Sequence, residues 1–117
     1  MAVLYITGYA QLTQLVGDAG QMPDENTKTE EQTVAIGAGS VQSATLASGT
    51  KYVRLHCDAV CSILVGYGTV GSPPNPTALA TSQRFAANQT EFKGVPTNGN
   101  GSGNNLVQVK IAVIQNT

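Results

Sequence analysis

Strict alternation of apolar and polar side chains constrains this chain more than any other feature. In residues 106–114, LVQVKIAVI, Val107, Val109, Ile111 and Val113 share one side, while Gln108, Lys110, Ala112 and Ile114 share the other. A period of two is the signature of a half-buried β-strand, and the β-branched content agrees with it. Residues 51–57, KYVRLHC, repeat the pattern, with Val53, Leu55 and Cys57 inward and Tyr52, Arg54 and His56 outward. After a short interruption, residues 60–67, VCSILVGY, start again with Cys61, Ile63 and Val65 on one side. Two such runs joined by a short loop read as a β-hairpin, which sets Cys57 opposite Cys61.

Weaker strands are expected at 3–7, 31–36 and 41–46, the last two joined by a turn at Gly37-Ala38-Gly39. A further hairpin is expected to join 83–87 to 90–95 through Asn88-Gln89. Residues 11–16 fit either a short helical turn or a strand. Three stretches read as irregular: 17–28, 68–75 running into Ser72-Pro73-Pro74-Asn75-Pro76, and 97–105, TNGNGSGNN. The last has the glycine content of a mobile tip. Seven or eight short strands without an amphipathic helix predict a single all-β domain over residues 1–117. Two layers are required, since one sheet would leave an apolar face in water. Pattern alone does not separate a jelly roll from an immunoglobulin-like sandwich or a small barrel.

Composition narrows the function. Charged residues are 11% of the 117, against about 25% in an average soluble domain. The formal net charge is -1. No basic field exists to gather phosphates, so direct nucleic-acid binding is not expected. No apolar run is long enough to cross a membrane as a helix, and no basic segment precedes an apolar one as in a secretory signal. Two cysteines do not make a disulfide framework. A surface with so little charge suits a protein that works inside an assembly.

No chemical motif survives its context. His56 is the sole histidine, and none of the seven serines sits in a Gly-x-Ser-x-Gly setting. Cys57, Cys61, His56 and Asp58 are close in sequence, but adjacent and alternating positions cannot all point at one ion. Both cysteines read as small core side chains, with a cross-strand disulfide as the alternative. The acids at 24–25, 30–31, 58 and 91 do not form the facing pair of a glycosidase. Gly66-x-Gly68-x-x-Gly71 matches a dinucleotide fingerprint in letters, but prolines follow where a helix is required. No catalytic residue, metal ligand or cofactor is therefore expected. What remains are candidate contact residues. Tyr52, Arg54 and His56 lie on an outward strand face, and Tyr5, Tyr9 and Tyr67 carry both a ring and a hydroxyl. Asn100 stands in a tip that can order against a neighbouring subunit.

The segments 51–66 (KYVRLHCDAVCSILVG), 80–96 (ATSQRFAANQTEFKGVP) and 109–114 (VKIAVI), in this order, resemble small virion structural proteins of tailed bacteriophages. The likeness covers a little over half the chain, and residues 1–49 depart from it. It implies a capsid decoration (cement) protein with a β-sandwich of jelly-roll type, made in the host cytoplasm and carried on the outer surface of the capsid. The implied partners are the major capsid protein and further copies of the chain, as a homotrimer. It also implies that Arg84, Phe85, Asn88 and Glu91 belong to a shared motif serving strand pairing or subunit contact. Residues 1–49 are then the place for a capsid- or subunit-contact segment. Other readings are a head-fibre base, a tail or baseplate part, or a carbohydrate- or receptor-binding module.

Overall fold

The computed structural model describes residues 2–14, 21–23, 27–95 and 99–116, with 12–14 and 21–23 as backbone. Ten strands are present among them: β1 Val3–Tyr9, β2 Leu12–Gln14, β3 Gln21–Pro23, β4 Lys28–Ala35, β5 Val41–Gln42, β6 Tyr52–Cys57, β7 Cys61–Thr69, β8 Gln83–Phe85, β9 Thr90–Gly94 and β10 Val107–Gln115. Eight form two four-stranded sheets, in the orders β4-β1-β6-β9 (sheet one) and β5-β10-β7-β8 (sheet two). Every pairing is antiparallel. The short strands β2 and β3 pair with each other. Residues 12–14 of the ambiguous 11–16 stretch are thus a strand, and 15–16 lie outside the described residues.

Outside β9, the inward faces are those the alternation predicts. Leu4 and Ile6 of β1, Val34 of β4 and Val53, Leu55 and Cys57 of β6 meet Cys61 and Ile63 of β7, Phe85 of β8 and Val109, Ile111 and Val113 of β10. Each fully buried Val, Leu, Ile or Phe of this set contributes about 1.5–3 kcal/mol relative to exposure.

The partners are not those expected. All three predicted hairpins are corners that carry the chain from one sheet to the other. Cys57 ends β6 in sheet one and Cys61 begins β7 in sheet two, so residues 58–60 cross the core edge. Strands β4 and β5, flanking Gly37–Gly39, lie in different sheets, as do β8 and β9, flanking Asn88-Gln89. A tight reversal fits either geometry, because facing sheets are only about 10 Å apart. Cys57 and Cys61 therefore face each other across the core instead of along a ladder. Both are free thiols with no exposed surface.

Sheet two is covered on its outer side by the chain itself. Residues 70–82, between β7 and β8, pass over it with Pro74, Pro76 and Ala78 buried. Gln42 Nε2 donates to the Pro76 carbonyl (2.9 Å) and to Asn75 Oδ1 (2.6 Å), and the Ala78 amide donates to Ser40 Oγ (2.9 Å). At the far end Asn116 Nδ2 donates to Ser62 Oγ (2.6 Å) and to the Ala80 carbonyl (3.1 Å). Under this strap β7 presents Ser62, Gly66 and Gly68 outward. Gly66 and Gly68 of the nucleotide-like motif are strand residues kept bare for the strap, and β7 extends to Thr69 where an irregular segment is expected.

Candidate functional site

The outer side of sheet one is built by the register of its four strands. One transverse row is Thr33-Tyr5-His56-Thr90, and the next is Glu31-Thr7-Arg54-Phe92. Alternation forces these residues outward, because their chain neighbours Val34, Leu4, Ile6, Leu55 and Cys57 fill the core. Their side chains stay largely in solvent: Tyr5 is 46% exposed and Phe92 56%. Arg54, Glu31 and Thr33 are exposed, and Tyr52 and His56 are half-buried. The other exposed large apolar residues, Val41, Leu64, Tyr67, Val70 and Leu79, belong to sheet two and its strap.

The centre of this bare face is held in place. His56 Nδ1 and Thr90 Oγ1 share a hydrogen bond of 2.7 Å. The His56 ring lies 6.2 Å from the Tyr5 ring, tilted by 42°. Thr90 on β9 thus fixes His56 on β6, which borders Tyr5 on β1. Beside Tyr5, a shallow depression of about 310 Å³ is lined by Tyr5, Thr7, Glu31 and Thr33 together with Ile6 and Gln32. Glu31 pairs with Lys28 at 3.5 Å. Arg54 has no ion-pair partner among the described residues.

The sequence-derived candidates divide into three places. Tyr52, Arg54 and His56 lie on the bare face. Residues 84–91 form the corner from sheet two to sheet one. Phe85 is fully buried in the core and offers no contact surface, which corrects its candidacy. Asn88 has φ of +63°, a left-handed backbone that a turn needs and that Asn tolerates. The Asn88 amide donates to the Cys57 carbonyl (2.7 Å), and the Cys57 thiol donates to the Ala86 carbonyl (3.1 Å), which docks the corner on β6. Glu91 points between the sheets, where it accepts from Gln89 Nε2 (2.6 Å), while Lys93 Nζ donates to Gln83 Oε1. Charges turned inward on the edge strand β9 also discourage edge-to-edge pairing. Arg84 is exposed on β8, at the edge of sheet two.

Asn100 belongs to a tied tip. The Gly99 amide donates to the Val107 carbonyl and the Val107 amide to the Asn100 carbonyl, at 3.0 and 2.7 Å. The Gly71 amide donates to the Asn104 carbonyl at 2.8 Å, which joins the tip to the start of the strap. Residues 99–105 are thus fastened on two sides. Residues 97–98 lie outside the described residues.

The groups with reactive potential are dispersed. His56 and Cys57 point to opposite sides of β6. Asp58 Oδ1 accepts the Val3 amide at 2.7 Å. Burial pushes the Cys61 thiol up to about 12, with neighbouring Cys57 and then Asp58 adding to the rise. Among the described residues no three His, Cys, Asp or Glu side chains gather where a metal ion could be held. No helix among them is long and apolar enough to cross a membrane. Tyr9, a contact candidate by composition, is buried.

Phe92 is the bare-face residue that sequence reasoning missed. In Thr90–Gly94, apolar-inward logic puts Phe92 in the core and Glu91 and Lys93 in solvent, and the structure has the reverse. No family model, curated protein or solved structure matches the chain.

Proposed function

We propose that this protein is a non-enzymatic structural component of a tailed-phage virion, a decoration protein that stabilises the head by bridging capsomers from the outer surface of the capsid. The observation that carries the reading is the asymmetry of the sandwich. The chain's own strap lies over part of one face, and among the described residues the other presents Tyr5, Tyr52, Arg54, His56 and Phe92. Tyrosine and arginine are the side chains that dominate the energetics of protein contacts. On this reading the protein acts by binding and not by chemistry. Its partners on this reading are the major capsid protein and further copies of itself, with the homotrimer that the resemblance implies.

The strand orders support a jelly roll. If strand β1 is moved from the front of the chain to its end, the eight sandwich strands take the jelly-roll arrangement, two interleaved four-stranded sheets. The chain ends agree with such a permutation. The Asp58 amide donates to the Val3 carbonyl, and the Asn116 amide donates to the Val60 carbonyl, so both ends flank the same three-residue corner.

The test is addition of the purified protein to expanded heads of the parent phage lacking it, followed by electron cryomicroscopy. The expected result is protein density on the outer head surface between capsomers. Failure to bind heads, or location on the tail or baseplate, overturns the reading. The depression beside Tyr5, with a ring, two threonine hydroxyls and the Glu31 carboxylate, favours a saccharide-binding module as the second reading. Titration with methyl glycosides, followed by amide shifts of Thr7 and Thr33, separates the two.

A further inference from the structure

The charges on the bare face are arranged to complement themselves. In the row Glu31-Thr7-Arg54, β1 stands in the middle, with the anion one strand to one side and the cation one strand to the other. Lys28 of the same chain already pairs with Glu31 at 3.5 Å, so Arg54 of a second copy would join that pair. Two strand spacings, about 10 Å, keep Glu31 and Arg54 of one chain from pairing directly. A twofold axis running along β1 above Thr7 turns a second copy face-down on the first. It sets Arg54 over Glu31 of the second copy, and Glu31 over the second copy's Arg54. The neighbouring row follows the same operation: Tyr5 meets its own equivalent, and His56 comes over Thr33.

We infer that the bare face of sheet one is an isologous contact between two copies of this chain, centred on Thr7 and closed by two Arg54–Glu31 pairs. The inference rests on the bare face being the binding surface, and it names a second copy as the occupant; a homotrimer would then have to use other surfaces of the chain. Isologous contacts need a patch that matches itself under a twofold, and this row does. Sheet-on-sheet packing with aligned strands is an ordinary arrangement for such faces. The three strands that overlap about this axis, β4, β1 and β6, cover roughly 700 Å² in the pair, below the roughly 1,000 Å² of a specific interface, and Phe92 on β9 lies outside the overlap. The contact is therefore weak in dilute solution and fills where copies are concentrated, as on a shell surface. It uses none of the corner or tip residues, which stay available to other partners.

Sedimentation equilibrium of the protein from about 20 µM to about 1 mM tests this. The expected result is a monomer–dimer equilibrium that weakens as salt is added. Arg54→Glu and Glu31→Arg each weaken dimerisation about tenfold or more, and the double variant restores it to within about threefold. A wild type that stays monomeric to about 1 mM, a trimer without a dimer, or a double variant no better than the single ones overturns the inference. Binding of the wild type to phage heads is scored in parallel. Monomeric protein that still coats heads overturns the twofold contact alone. Dimeric protein that never coats them supports the twofold contact and overturns the virion assignment.

Discussion

Pro76 sits directly over Gly66: a Cβ on Gly66 would come within 2.6 Å of the Pro76 Cβ and 2.9 Å of its Cγ. The close approach is how the strap reaches sheet two, and no side chain fits between them. Gly66→Ala should lift the strap or displace Pro76, at a cost of about 1–3 kcal/mol as in other overpacked sites. Urea denaturation measures the loss, and faster cleavage within 70–82 under limited proteolysis would show where it falls. Unchanged stability and cleavage would mean that the strap does not rest on β7.

Asn88 supplies a second, sharper contrast. Its φ of +63° suits Asn or Gly and strains other residues. Asn88→Ala should cost about 1–2 kcal/mol, whereas Asn88→Gly should stay within about 0.5 kcal/mol of wild type. Thermal unfolding of the two variants side by side checks the difference. Equal effects would remove the turn as the reason for Asn at this position.

The tip at 99–105 is expected to matter to the fold. Deleting Gly99–Gly103 removes the bonds joining Gly99 and Asn100 to Val107, and disturbs the bond from Gly71 to Asn104. At about 1 kcal/mol for each backbone hydrogen bond, the loss should be roughly 2–3 kcal/mol. A deletion that unfolds at the wild-type denaturant midpoint would show that these bonds contribute nothing net.

Cys61 links stability to alkaline pH. Burial raises its folded pKa to about 12 from the ordinary 9.0 of a thiol, so above pH 9 the unfolded chain releases a proton that the folded one retains. Its contribution is fully present below pH 9 and is lost as pH rises toward 12, by at most about 1.4 kcal/mol per pH unit. The wild type minus Cys61→Ala difference in unfolding free energy should shrink across that window. The native thiol should also resist iodoacetamide at pH 8 until the protein is unfolded, as read by mass spectrometry. Rapid native labelling would place Cys61 in contact with solvent.

Residue parity was legible in the sequence and strand partnership was not. Val53, Leu55 and Cys57, then Cys61, Ile63 and, on β10, Val109, Ile111 and Val113 all face the core as their alternation requires. A short interruption containing Asp, Asn or Gly says only that the chain reverses. It does not say whether the reversal stays in one sheet or crosses the core, and at 58–60, 37–39 and 88–89 it crosses. Parity itself misleads at β9, where the edge position lets Glu91 and Lys93 reach a polar rim between the sheets and turns Phe92 outward. The Gly66 and Gly68 pair carried the one signal for the strap: two bare positions on one side of a strand, followed by a proline-rich segment able to lie on them. Of the bare face, Tyr52, Arg54 and His56 were readable from β6 alone. Their juxtaposition with Tyr5, Glu31 and Phe92 depends on three pairings that no local pattern encodes.

The corner at 58–60 has Val3 hydrogen-bonded on one side and Asn116 on the other. Any polypeptide that continues beyond either residue must set out from that single pole of the sandwich. A tag, a label or a second domain grafted at the front and one grafted at the back would leave as neighbours, and could be used to report on each other by energy transfer.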